Sequence, residues 1–173
     1  MEEPVQGLLE RIRHVAMPDG PVECRETWLR QEGEMRFAPD RPWMPFEAEQ
    51  WFEGKGIDFR WQARVRMAPF VRVNVVDAFE NGAGTLTARV FGIPVARARG
   101  PEIDKGEALR GLAELPWRPF AFGEAQEVTW EATVAGNLRA TYDDGRTRET
   151  VEFEGAHFPG VSEKCREIDL LAA

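Results

Sequence analysis

The chain has 173 residues, of which 43% are apolar and 30% charged, and its formal net charge is −8. This length predicts a single domain, residues 1–173, that can bury a core without disulfides or metal ions. The acidic charge argues against nucleic acid as a partner, because phosphate groups would be repelled. No apolar run reaches the roughly 18 residues of a membrane-spanning helix, and the N-terminus lacks the basic and apolar regions of a signal peptide. We therefore expect a cytoplasmic protein with no integral membrane segment.

The predicted elements begin with a short helix at residues 4–16, where Val5, Leu9 and Ile12 share one helical stripe. From residue 22 onward the apolar residues recur with a period of two, which indicates strands. The clearest strand is 57–67, in which apolar and polar residues alternate without an error, as in a strand with one face in water. The predicted strands are 22–37, 45–53, 57–67, 71–80, 85–92, 94–99, 127–135, 137–143 and 147–155.

Two more helices are predicted from the residues at their ends. Pro101 suits the first position of a helix at 101–115, and Pro116 ends it. A C-terminal helix at 161–172 would have Ser162 as its N-cap. Almost all connections between strands are too short for a parallel crossover. The predicted fold class is therefore α+β, mainly β: one large curved antiparallel sheet of about nine strands, like a half-barrel, with the N-terminal helix and the helix at 101–115.

Three segments carry a resemblance to a known family. They are W-M-P-F-E-A-E-Q at 43–50, F-R-W-Q-A-R-V-R-M at 59–67, and G-P-E-I-D-K-G-E-A-L-R-G-L-A-E-L-P-W at 100–117. Together they resemble a family of uncharacterised bacterial proteins that is described only as a domain of unknown function, and the resemblance covers residues 4–155. The family implies no activity. At the level of fold alone, the layout is similar to curved-sheet lipoprotein carriers, in which helices plug an apolar trough.

Aromatic residues are the main candidates for a ligand site. The chain has six Trp and eleven Phe, and aromatic-lined concave sites are typical of small-molecule pockets. The alternative is that these rings fill the core of a curved sheet. The candidate lining residues are Trp28, Phe59, Trp61, Val65, Trp117 and Trp130.

Charged residues supply candidate polar contacts for the same site, namely Arg64, Arg66, Asp77 and Glu107. On a regular strand Arg64 and Arg66 face away from Trp61, which argues against one combined site. The strand arginines and the helix acids also have a simpler interpretation, in which both sets lie on faces exposed to water. The arginines are Arg60, Arg64, Arg66, Arg72, Arg89, Arg97 and Arg99, and the acids are Glu102, Asp104, Glu107 and Glu114.

The sequence lacks the motifs of zinc sites, of serine hydrolases and of phosphate-binding loops. Cys24 and Cys165 are predicted to be free thiols, and with His14 and His157 they give no zinc-ligand spacing. Ser162 is the only serine, and the chain has no nucleophile elbow or phosphate-binding loop. We therefore predict no catalytic residues, no metal and no cofactor.

The leading functional hypothesis is non-enzymatic binding of an apolar or amphiphilic small molecule in the trough of the curved sheet. The first alternative is a protein–protein interaction module, for which a homodimer is one candidate form. The second alternative is an enzyme that uses Asp77 or the helix carboxylates with an arginine. Such an enzyme would require a buried carboxylate beside an arginine within a cleft.

Overall fold

The computed structural model describes residues 26–118, 127–133 and 137–154, together with Val5, Gly7, Leu9, Glu10, Ala121, Glu124 and Ala125. The four described residues between positions 5 and 10 are helical, as predicted for this part of the chain. The other residues of the predicted helix at 4–16 and the whole predicted helix at 161–172 lie outside the described residues. The same holds for Cys24, Cys165, His14, His157 and Ser162.

The described strands form two antiparallel sheets, which we call the large sheet and the small sheet. The large sheet is a meander in which neighbours in the chain are neighbours in space, and it contains β1 (Glu26–Met35), β2 (Met44–Glu53), β3 (Phe59–Ala68), β4 (Val71–Glu80), β5 (Ala83–Val90) and β6 (Ile93–Arg99). The small sheet contains β7 (Val128–Ala132), β8 (Leu138–Asp143) and β9 (Arg148–Phe153). Helix α1 (Pro101–Ala113) and a 3-10 helix (Leu115–Trp117) follow β6. None of the helices in the described ranges is long and apolar enough to span a bilayer.

The mainly β, antiparallel character is confirmed, but the prediction of a single sheet is wrong. The strands that follow α1 pair only with one another in the described structure. The sequence contains a reason at β6, since Pro94 lies inside this strand and has no backbone N–H to donate. Proline in a sheet is confined to edge strands and bulges. Accordingly, β6 is an edge of the large sheet, and the small sheet does not extend it.

The two faces of the large sheet differ as the alternation in β3 predicts. The odd-numbered residues from Phe59 to Val65 are buried on what we call the core face, and the even-numbered residues lie on the outer face. Met67 departs from the predicted pattern, because its side chain is half exposed. A register irregularity between Arg66 and Ala68 in the β3–β4 ladder takes Met67 out of the core row.

Helix α1 covers part of the core face of the large sheet and also contacts the small sheet. Two glycines allow a close approach. A Cβ atom at Gly84 of β5 would lie 2.6 Å from the carbonyl oxygen of Ile103, and one at Gly111 would lie 2.5 Å from that of Ile57. A larger residue at either position would push helix and sheet apart. Apolar residues of α1 and of both sheets form one core cluster.

Candidate functional site

The predicted lining residues do not share one surface. Phe59, Trp61 and Val65 lie together on the core face of β3, where all three are buried. Trp28 lies on the outer face and is 54% exposed. The strand registers explain this placement. Trp28 lies opposite Trp51, which pairs with Arg60 on the outer face, whereas Trp61 lies opposite Gln50 on the core face. The predicted position of Trp28 in a trough beside Trp61 is therefore wrong.

The other two tryptophans of the predicted set lie outside the large sheet. Trp130 belongs to β7 of the small sheet, where it stacks on Phe153 with ring centroids 6.3 Å apart. Trp117 lies in the 3-10 helix and packs half-buried against the core cluster. Both rings thus contribute to packing, and their contact with a ligand stays a prediction.

The predicted polar contacts divide between the two faces of the large sheet. Arg64 and Arg66 are exposed on the outer face, as expected for residues that alternate with Trp61. Asp77 of β4 and Glu107 of α1 are buried between the helix and the core face. The structure therefore brings Asp77 and Glu107 together and keeps both arginines away from them.

Arg110 of α1 is the centre of a buried polar group that sequence reasoning missed. Its Nε donates to Glu114 at 2.9 Å, and its Nη1 donates to Asp77 at 2.6 Å. The guanidinium also lies over the rings of Phe59 and Trp61, 4.8 and 5.1 Å from their centroids. Two carboxylates and two aromatic faces therefore hold one cation between α1 and the large sheet. We call Arg110, Asp77, Glu107, Glu114 and Gln50 the buried cluster.

Side-chain hydrogen bonds connect the buried cluster to the first strands. Trp61 Nε1 donates to Gln31 Oε1 at 2.8 Å, and Gln31 Nε2 donates to Gln50 Oε1 at 2.9 Å. Gln50 Nε2 in turn donates to Glu114. Because Gln50 and Glu114 are 0% and 2% exposed, these bonds replace the water that both side chains lose on folding. Glu114, which directly follows the last residue of α1, thus attaches this end of the helix to β1, β2 and β3 through polar contacts.

Burial changes the ionisation of the helix acids. Desolvation, followed by the negative charge of Asp77, raises the pKa of Glu107 to about 8. Glu107 is therefore protonated at neutral pH and hydrogen-bonds to Asp77. Burial also raises the pKa of Glu114, against the opposing charge of Arg110. The interpretation of the helix acids as a face in water is wrong for Glu107 and Glu114, and it holds for the exposed Glu102.

Stability should depend on pH through Glu107. Its carboxyl has an ordinary pKa of 4.5 and a folded-state pKa of about 8, so between these values the folded protein holds a proton that the unfolded chain releases. This contribution is complete below pH 4.5 and is lost as the pH rises through about 8. Each unit of raised pKa corresponds to about 1.4 kcal/mol.

The variant Glu107→Gln cannot ionise and should therefore remove this part of the pH dependence. Urea unfolding of the wild type and the variant, from below pH 4.5 to above pH 8, measures the difference. Parallel curves for the two proteins would contradict a raised pKa at Glu107.

Two clefts open at the end of the large sheet where β2 turns into β3 and β4 turns into β5. Their volumes are about 510 and 450 Å³, and Glu53, Asp58 and Asn81 line both. Acidic side chains outnumber basic ones in each cleft. Phe59 lines the smaller cleft, but no residue of the buried cluster lines either one. Among the described residues, no group of three or more acidic, histidine or cysteine side chains is placed to hold a metal ion.

Arg118 is a second buried cation that sequence reasoning did not single out. It is fully buried, donates from Nη2 to the carbonyl oxygen of Gly56 at 2.8 Å, and lies over Phe52, 4.2 Å from the ring centroid. Burial lowers its pKa to about 10, so the side chain stays charged at neutral pH. Its contacts attach the segment after α1 to the β2–β3 connection.

Exposed apolar side chains concentrate at the opposite end of the large sheet from the clefts. Three connections meet there, at residues 36–43, 69–70 and 91–92. We call this end the hairpin edge. Among the described residues, nine large apolar side chains are exposed, and seven of them lie at the hairpin edge: Phe37, Trp43, Met67, Phe70, Phe91, Ile93 and Val95.

Comparison with known proteins identifies a family but no activity. No curated protein and no solved structure matches the chain. Residues 4–157 match one protein family, and this range includes all the described strands and α1. The match confirms the resemblance drawn from the sequence. The chain therefore belongs to the family of unknown function DUF6544.

Proposed function

We propose that this protein binds an amphiphilic small molecule without catalysing a reaction, and that the apolar part of the molecule lies on the core face of the large sheet. One cross-strand row supports this proposal. It runs from β2 to β6 through Phe46, Val65, Val73, Val90 and Ile93, which pair in that order. Val65 and Val73 are buried. Phe46 and Val90 are half buried, and Ile93 is 68% exposed.

This row leads from the core to the solvent at the hairpin edge, where Val90 and Ile93 are open to a ligand. Covering its exposed end with an aliphatic chain would stabilise the complex by about 25 cal/mol for each Å² of apolar area removed from water. Arg72 and Arg89 are the outer-face neighbours of Val73 and Val90 in β4 and β5. They place positive charge at the same strand ends, where the head group of an anionic amphiphile would remain.

The test is the melting temperature of the protein with monomeric palmitate. A ligand that binds only the folded state, at ten times its Kd, should stabilise it by about 1.4 kcal/mol, which is roughly 3–6 °C for a chain of this length. The absence of a shift at saturating palmitate and with other long-chain amphiphiles would reject the proposal.

Two variants locate the ligand. Ile93→Glu should abolish the shift, because it places a negative charge against the bound anion, and it should leave the melting temperature without ligand nearly unchanged, because the side chain is exposed. Leu109→Glu is the matched control, since Leu109 is an exposed residue of α1 outside the row, and it should keep the shift. If both variants keep it, palmitate binds elsewhere and the row is not the site.

The buried cluster is the observation that favours a second candidate, an enzyme that depends on a carboxylate and an arginine. It has a raised pKa at Glu107 and a cation at Arg110, which is a combination found at catalytic sites. A substrate would have to reach these atoms between α1 and the large sheet, whereas the row of the binding proposal reaches solvent at Ile93, which is 68% exposed. We therefore place binding ahead of catalysis.

A further inference from the structure

We propose that the hairpin edge is a docking surface for an anionic phospholipid bilayer. The aromatic rings at the hairpin tips would insert among the lipid head groups, and the arginines beside them would contact lipid phosphates. This goes beyond the proposed function, because it concerns the outside of the molecule and requires no ligand on the core face. Three observations support it: the backbone conformation at the tips, the exposed rings at neighbouring strand ends, and the distribution of charge.

The β3–β4 and β5–β6 tips hold phenylalanine where the backbone favours other residues. Phe70 has a φ of 67° and is 95% exposed, and Phe91 has a φ of 49° and is 74% exposed. Bulky residues rarely adopt a positive φ. The β4–β5 turn at the opposite end has the usual residues, Asn81 with a φ of 53° and then Gly82. Folding does not explain two strained, exposed rings, and such departures point to function.

The rings lie at neighbouring strand ends. Val73 of β4 pairs with Val90 of β5, so Phe91 lies about level with Arg72 and Phe70 lies about two residues further out. With strands about 4.8 Å apart, the six-stranded edge is about 24 Å long. The β1–β2 connection adds Phe37 and Trp43, and the guanidinium of Arg36 lies 4.8 Å from the centroid of the Trp43 ring. Separate rings at neighbouring strand ends can enter a deformable lipid interface together, whereas a protein partner would need a matching pocket for each.

Arginines flank the rings. Arg66 and Arg72 lie directly opposite each other on the outer face, an arrangement that is unfavourable unless an anion lies nearby. Within the described part of the chain, none of Arg66, Arg72 and Arg89 forms an ion pair. At the β1–β2 connection, Glu34 and Asp40 offset the charges of Arg36 and Arg41, so the excess positive charge of the hairpin edge lies on β3, β4 and β5.

The acidic residues that dominate the net charge of −8 include those of both clefts, at the far end of the sheet. An anionic surface would therefore attract the hairpin edge and repel the opposite end, which orients the protein on the membrane.

The test is flotation with phosphatidylcholine vesicles that contain phosphatidylserine, compared with vesicles of phosphatidylcholine alone. The wild type should float with the anionic vesicles and not with the neutral ones. The double variant Phe70→Asn/Phe91→Asn should bind at least about tenfold more weakly, because two rings no longer leave water. Since asparagine tolerates a positive φ, this variant should melt at the same temperature as the wild type or higher.

Matched variants separate the hairpin edge from the rest of the surface. Trp28→Asn removes an exposed aromatic ring near the far end of the outer face, and it should leave binding unchanged. Arg66→Gln and Arg72→Gln should each weaken binding about fivefold. Arg97→Gln, on the same face further from the tips, should have a smaller effect.

Three results would overturn the proposal. One is a wild type that does not bind anionic vesicles. Another is a Phe70→Asn/Phe91→Asn variant that binds them as well as the wild type does. The third is a dimer of the wild type in solution that this variant abolishes, with no vesicle binding, which would assign the hairpin edge to self-association.

Discussion

Replacing Arg110 by methionine is expected to lower the free energy of unfolding by about 3–5 kcal/mol. The variant leaves Asp77 and Glu114 without the cation that both contact, at 2.6 and 2.9 Å. Glu114 is 2% exposed, so water does not replace the lost hydrogen bonds and its carboxylate stays uncompensated or takes up a proton. Methionine keeps much of the apolar contact with Phe59 and Trp61. The lost stability therefore measures the missing charge interactions rather than a missing side-chain volume.

Urea unfolding at neutral and mildly acidic pH measures this loss. It should shrink in acid, because protonated carboxyls no longer need a cation, and adding Glu114→Gln should recover part of it. Arg139→Met is the control, since Arg139 pairs with Glu152 at 3.2 Å while its side chain is 43% exposed, and it should cost less than about 1 kcal/mol. Equal losses for the two arginine variants would mean that the buried cluster is in contact with water.

Local patterns were sufficient for most of the secondary structure. Alternation predicted β3, because the face of each strand residue follows from its position. Prolines bracket the helix predicted at 101–115, and α1 spans Pro101–Ala113. Between the strands predicted at 71–80 and 85–92, Asn81 and Gly82 form a tight turn with the positive φ values that these residue types favour.

Which residues of β1 face the core could not be predicted from the local sequence pattern. Trp28 and Leu29 are adjacent apolar residues, so the sequence leaves open which of them faces the core. Pairing with β2 decides it, since Leu29 lies opposite the buried Gln50 and Trp28 opposite Trp51. Because a shift of one residue exchanges the two faces of a strand, a long-range register determines what the local pattern cannot.

The buried cluster was beyond sequence reasoning for the same reason. The spacing of Arg110 and Glu114 predicts an ion pair on a helix, and Asp77 is visible in the sequence as an interruption of an apolar strand face. Asp77 and Arg110 are 33 residues apart in the chain. Only the packing of α1 on β4 brings them together, and that packing also buries Glu107 and raises its pKa.

Alanine at Gly106 and alanine at Gly111 are expected to change stability in opposite directions, although both positions lie in α1. A Cβ atom at position 106 would have no heavy atom within 4 Å, so Gly106→Ala should gain about 0.5–1 kcal/mol of helix propensity. A Cβ atom at position 111 would lie 2.5 Å from the carbonyl oxygen of Ile57 and 3.1 Å from its Cβ. A backbone carbonyl has no rotamer that relieves this overlap, so the helix must move away from the sheet, at a cost of about 1–3 kcal/mol.

The two variants should therefore differ by about 1.5–4 kcal/mol in urea unfolding. Arg110 precedes Gly111 in the chain, so a displaced helix should also lengthen the bonds from Arg110 to Asp77 and Glu114. A double-mutant cycle measures this effect. Because the contacts in the buried cluster are weaker in Gly111→Ala, adding Arg110→Met to that variant should lower the free energy of unfolding less than Arg110→Met does in the wild type. Equal stability of the two alanine variants would contradict the close approach of α1 to Ile57. Additive effects of Gly111→Ala and Arg110→Met would show that the helix moves without disturbing the buried cluster.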